Sequence, residues 1–202
     1  MKKSFRFLLL CLLPLSLSGC VTALVGAGAF GVMSATDRRS TGAQADDQVM
    51  EVRIQNTALT HLRNNNTMQG FEPKLSVVSF NRQVLLMGLV ASEADKAFVE
   101  RVARAQPNAE KIYNYIQVAT SARGFGEVSN DSWVTSKVRT TLLGTKGVSS
   151  NHVKVVTYNG VTYVMGILTP EEQALVSNTV STTAGVQQVV TLYETFVPSN
   201  VR

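Results

Sequence analysis

Val77-Val78-Ser79-Phe80-Asn81 returns 78 residues later as Val155-Val156-Thr157-Tyr158-Asn159. The two stretches agree in type at every position: two β-branched apolar residues, a hydroxyl, an aromatic ring and an Asn. At the same spacing Met87-Gly88 returns as Met165-Gly166, and Glu93 as Glu171. That period is too long for a solenoid unit and suits a duplicated small domain.

Reading outward, each copy contains two strand-like runs joined by a tight turn, residues 75–80 with 84–90 and residues 153–158 with 161–168. Asn159-Gly160 is the favoured type I′ hairpin pair, and Asn81-Arg82 is a poorer version of it. A helical pattern precedes each hairpin. Met50, Ile54, Ala58 and Leu62 share one face in the first copy, with Asp47 as the expected N-cap. Val134, Val138 and Leu142 do so in the second, with Asp131 as the expected N-cap. Asn64-Asn65-Asn66 closes the first helix, and Gly144 and Gly147 close the second. A further helix follows each hairpin (residues 92–105 and 170–183, with Pro170 at N1), and then a last strand (111–119 and 188–197).

The order is α-β-β-α-β, twice. One hairpin plus one crossover strand predicts an α+β fold of two tandem domains, each a three-stranded mixed sheet with two helices on one face. Gly88 and Gly166 are expected to admit close helix approach. The domains are expected at 46–120 and 131–197, with a small-residue and polar linker at 121–130.

The chain begins with Lys2, Lys3 and Arg6 and an apolar run over 7–17. These are the charged and apolar regions of a secretory signal, too short for a membrane span. The run ends in Leu17-Ser18-Gly19-Cys20, which resembles the lipobox of bacterial lipoproteins. The resemblance implies cleavage before Cys20, a diacylglycerol on its thiol and an acyl group on the new amine, covalent lipid rather than a cofactor. Residues 1–19 are then the signal, and 20–45 a lipidated start and flexible tether broken by Gly26, Gly28 and Gly31. Asp37-Arg38-Arg39-Ser40 is expected to be the first solvated point after it.

Composition narrows the rest. The formal charge of +5 comes from 19 basic and 14 acidic residues, but Lys2, Lys3 and Arg6 leave with the signal, so the remaining 183 residues carry about +2. Nucleic acid is therefore not expected as a partner. Cys11 lies in the signal and Cys20 is the lipid site, so packing, not a disulfide, holds the core.

Catalytic and metal chemistry have little to stand on. His61 and His152 lack Cys or carboxylate neighbours at metal-ligand spacing. Glu93 with Asp95, and Glu171 with Glu172, fall where a helix dipole favours acids. No catalytic residue, no metal ligand and no enzyme activity are expected. The informative helix begins at Asp131. At 100° per residue, Trp133, Ser136, Thr140 and Leu143 lie opposite the Val134–Val138–Leu142 stripe, with Lys137 and Arg139 flanking them. An aromatic and a Leu framed by cations suit a membrane surface; alternatively, Trp133 fills the interface between the two domains. The first copy's helix puts Arg53, Gln55 and Asn56 on its outer side.

The α-β-β-α-β order, the Asn or Asn-Gly turn, the strand with a late Gly, and Gly185-Val186-Gln187-Gln188-Val189 together resemble the BON-domain family. The first copy departs from the last motif, with Ala109-Glu110-Lys111-Ile112 in its place. With the lipobox, the tether and the Asp37-Arg38-Arg39-Ser40 segment, the chain is similar over nearly its whole length to dual-BON outer-membrane lipoproteins. The resemblance implies a non-enzymatic, lipid-anchored protein of the outer membrane, its domains facing the periplasm. It implies that the second domain binds anionic phospholipid of the inner leaflet through its first helix, here Trp133, Ser136, Lys137, Arg139, Thr140 and Leu143. It further implies support of envelope integrity and concentration at division sites. The alternative is an adaptor that docks peptidoglycan or an envelope protein, such as outer-membrane assembly machinery, through the same helix face.

Overall fold

The computed structural model describes residues 37–119, 121 and 124–198. The signal, Cys20 and the tether as far as residue 36 lie outside them. In chain order the elements are α1 (Thr41–Asn65), β1 (Lys74–Phe80), β2 (Gln83–Val90), α2 (Glu93–Arg104) and β3 (Lys111–Val118). The second copy supplies α3 (Phe125–Leu143), a short 3-10 turn (Ser150–His152), β4 (Val153–Tyr158), β5 (Val161–Leu168), α4 (Pro170–Ser181) and β6 (Gln188–Thr195). Each half is a three-stranded mixed sheet, ordered β1-β2-β3 and β4-β5-β6. The hairpin pairs are antiparallel, and the crossover strand runs parallel to the centre.

Both helices of each half cover one sheet face. Met50, Ile54, Ala58 and Leu62 of α1 and Val99 and Ala103 of α2 pack on Val77, Val84, Leu86, Val90 and Ile116. Val134, Val138 and Leu142 of α3 and Val176 and Val180 of α4 pack on Val155, Val164 and Leu168 in the same way. The opposite faces close on one another: Phe80, Leu85 and Met87 meet Tyr163, Met165, Ile167 and Leu192 in a third apolar cluster. Tyr115 meets Tyr163 edge-on with ring centroids 4.9 Å apart, and burial in this seam pushes the Tyr163 phenol up to about 12. The seam has a pseudo-twofold character. The Asn81 side chain donates to Glu194 near the end of β6, and that of Asn159 donates to Gln117 near the end of β3, each at 3.0 Å.

Several expectations are corrected. Neither Asp47 nor Asp131 caps a helix. Helix α1 starts at Thr41, with Ser40 Oγ accepting from the Ala43 N–H, and α3 starts at Phe125 after Gly124. Glu127 reaches back to the Gly124 N–H at 2.6 Å, so residues 125–130 of the expected linker are helix. The two Asp side chains are buried instead, where they hold the hairpin turns. Asp131 accepts from the Asn159 and Gly160 N–H groups at 2.6 and 3.0 Å. Asp47 accepts from the Asn81 and Arg82 N–H groups at 2.8 and 2.7 Å and from the Ser79 hydroxyl at 2.7 Å. Asn81, Arg82, Asn159 and Gly160 all have positive φ, as a type I′ turn demands, and Arg82 takes it at +62° without glycine's freedom.

The two strand glycines do not make room for helices. A Cβ on Gly88 would overlap the Lys74 carbonyl oxygen, and one on Gly166 would lie 2.9 Å from that of His152. They admit backbone at the start of the neighbouring strand. Nor is Asp37-Arg38-Arg39-Ser40 a solvated point: the Arg38 and Arg39 side chains are only 16% and 17% exposed.

Candidate functional site

The second half's α3 is fixed from three sides. Val134, Val138 and Leu142 are fully buried, which sets its rotation about its axis. Asp131 ties its first turns to the β4–β5 hairpin. The Thr135 hydroxyl accepts from the Thr157 N–H at 2.8 Å, and Arg139 donates to the Val155 carbonyl at 2.7 and 3.2 Å, joining the helix to the β4 edge. Arg139 therefore lies along the strand edge, away from Trp133.

The opposite face looks outward. Trp133 is 55% exposed and Leu143 69% exposed, and Ser136 and Thr140, between them in sequence on the same face, are exposed as well. Trp133 takes no part in the seam between the halves, which is built from the sheets; the interface alternative is thereby corrected. The Lys137 ammonium lies 3.4 Å from the indole centroid, a cation–π pair on one ring face. Gly185 supports the ring edge: a Cβ there would lie 3.3 Å from Trp133 Cζ3. Gly185 also has φ +101°, so the turn and the Trp seat share one requirement for glycine.

The hydroxyls on and beside this face are satisfied within the helix. Ser132, Ser136, Thr140 and Thr141 donate to the carbonyls of Val128, Ser132, Ser136 and Lys137 at 2.9–3.0 Å. Such i−4 bonds turn polar side chains back onto the helix and leave fewer donors requiring water. A groove of about 280 Å³ runs beside the helix, lined by Arg139, Leu142, Leu143, Ser150, Val153, Lys154 and Val155. Lys154 is engaged, with its ammonium on Glu51 at 2.5 Å and on the Ser79 carbonyl.

Superposing the copies by their turn-holding Asp residues puts Val49 where the second copy has Trp133, Val52 at Ser136, Arg53 at Lys137 and Gln55 at Arg139. Gln55 donates to the Leu75 carbonyl at 2.6 Å, so it belongs to the strand edge and not to the outer side expected for it. Val49 and Val52 are exposed in its place. His61 stacks on Phe98 at 3.7 Å between centroids, a packing role. Among the described residues no cluster of three His, Cys, Asp or Glu side chains is placed to hold a metal ion, and no helix is long and apolar enough to cross a membrane.

Two copies of α-β-β-α-β, each with a mixed sheet and a turn held by a helical Asp, define a duplicated small α+β module. The BON domain family model matches residues 51–120 and 130–192, more than half of the chain, and the chain belongs to the BON-domain family. It is 29% identical to the outer membrane lipoprotein DolP of Haemophilus influenzae, over 88% of this chain and 89% of that protein. It is also 29% identical to a 21 kDa hemolysin of Actinobacillus pleuropneumoniae, over 76% of each chain. A solved structure of CdsD, a structural protein of the type III secretion system of Chlamydia trachomatis, aligns at 15% identity with a TM-score of 0.30, covering 72% of this chain and 63% of that one.

Proposed function

We propose that this is a non-enzymatic envelope lipoprotein of the outer membrane, anchored through lipid on Cys20 with both domains in the periplasm. The outer face of α3 rests on anionic phospholipid of the inner leaflet. In this reading the protein supports envelope integrity and can gather at division sites.

The observation that carries the reading is Trp133, more than half exposed on the outer side of a helix that also presents Leu143. Indole rings favour the headgroup boundary. Lys137, already on the ring, contributes about 1 kcal/mol near an anionic surface. Ser136 and Thr140 lower the cost of leaving water, because their hydroxyls are bonded within the helix. Arg139 joins only with the donors left free by the Val155 carbonyl. The lipobox and the outer-membrane location in the Haemophilus relative's name support the anchor and the compartment.

The test is co-sedimentation, with vesicles, of the soluble chain that lacks residues 1–20, so that the lipid on Cys20 does not itself hold the protein to the vesicle. Trp133→Glu places a charge where the reading needs an apolar ring, and binding to anionic vesicles is expected to fall at least tenfold, or ~1.4 kcal/mol. Unchanged binding overturns the site. An envelope protein or peptidoglycan retained without lipid, and lost in Trp133→Glu, would replace the lipid reading with the adaptor.

A further inference from the structure

We infer that Asp37-Arg38-Arg39 is a clasp that fastens the end of the tether across the seam between the two domains. In sequence these residues are the end of the tether, immediately before α1. In space they hold both. Arg38 reaches the second half: Nη1 and Nη2 donate to the Glu172 carboxylate at 2.5 and 3.0 Å, and Nη1 also donates to the Ile167 carbonyl at 2.7 Å. Its guanidinium lies 4.1 Å from the Phe196 ring centroid. Arg39 turns to the first half, donating to Asp37 and, at 2.9 Å, to the buried Asp47, and lying 4.2 Å from the Phe80 centroid.

The two arginines therefore close on one aromatic ring from each half, and both rings pack in the seam cluster. Arg suits this task, because its planar fork grips a carboxylate at two points while its face stacks on a ring. Each end is anchored in a group that already organises its own half. Asp47 holds the first hairpin turn. Glu172 forms the capping box of α4, accepting from the Thr169 N–H at 2.8 Å. A tether ending at Arg38 thus pulls on the two domains together and does not hang from the first alone. Domain closure depends on a segment outside either repeat.

The chain carries its own probes. Met87 and Met165 are buried in the seam, while Met50 is buried under the helices of the first half. Methionine oxidation by peroxide, read by mass spectrometry on the full chain in detergent, reports each site separately. Arg38→Gln is expected to raise oxidation of Met87 and Met165 about tenfold relative to Met50. Glu172→Gln should do the same, and the double variant should add little to either single change. Arg63→Gln, which removes an exposed ion pair with Glu72, should change none of the three. Seam methionines that keep their wild-type rates in Arg38→Gln overturn the clasp. An equal rise at Met50 also overturns it, because the arginine would then support general stability and not closure.

Discussion

The buried Asp residues make the sharpest prediction about stability. Asp131 is 5% exposed, and its carboxylate takes the two turn N–H groups of Asn159 and Gly160 at 2.6 and 3.0 Å. Hydrogen bonds to a charged group contribute about 1.5–3 kcal/mol each, and removing the acceptor also strands two donors in a turn with positive φ. Asp131→Ala should therefore cost about 3–5 kcal/mol. Asp131→Asn keeps one acceptor oxygen but turns an NH2 toward a turn N–H, and should cost about 2–3 kcal/mol. A helix N-cap at this position would cost only about 1 kcal/mol on replacement by Ala. Urea denaturation followed by far-ultraviolet circular dichroism separates the two: the midpoint should fall with little change in slope. A loss near 1 kcal/mol for Asp131→Ala would refute the turn-holding role and restore the cap.

Other outcomes follow from the same geometry. Gly88→Ala would drive a methyl into the Lys74 carbonyl, so it should cost more than about 2 kcal/mol and loosen β1 in hydrogen exchange before α1. Burial pushes the Glu172 carboxyl up, but hydrogen bonds from Arg38 and the Thr169 N–H and the Arg38 charge outweigh it and hold the group below the usual carboxylate range. A carboxyl depressed on folding stabilises above its unfolded value, so this contribution is lost as pH falls below the usual carboxylate range. Seam methionine oxidation should rise there in the wild type and much less in Glu172→Gln. Tyr163 has the opposite sign: its raised phenol contributes fully below about pH 10 and is lost as pH climbs toward 12, which ultraviolet titration of tyrosinate should show against Tyr163→Phe.

The repeat made most of the fold legible. Two aligned copies located both hairpins, both crossover strands and the stripes that face the sheets, because periods of two and 3.6 survive in each. Helix starts were harder to read. Asp is a favoured cap, so Asp47 and Asp131 looked like ends, while Ser40 and the Gly124–Glu127 pair did the work. That each Asp precedes an Asn-led turn in its own copy is the signal of the buried bond, but sequence alone does not say that helix and turn touch. The seam did leave a trace: β2 and β5 are buried almost throughout, and nearly every residue in Val84–Val90 and Tyr163–Leu168 is apolar, as strands covered on both faces are. The outer position of Trp133 follows from the helical wheel. The separation of Arg139 from it does not, because a long side chain at the flank can turn either way. The reach of Arg38 across 134 residues to Glu172 has no local pattern at all.

If the outer face of α3 meets an anionic lipid surface, the single tryptophan of the chain reports it, because Trp133 is exposed on that face. The most direct measurement is Trp133 emission of the soluble chain that lacks residues 1–20, titrated with vesicles of anionic and then of neutral phospholipid. Emission typical of an exposed indole is expected in buffer, with a blue shift on adding anionic vesicles and little change with neutral ones. Emission that anionic vesicles leave unmoved would contradict the lipid contact.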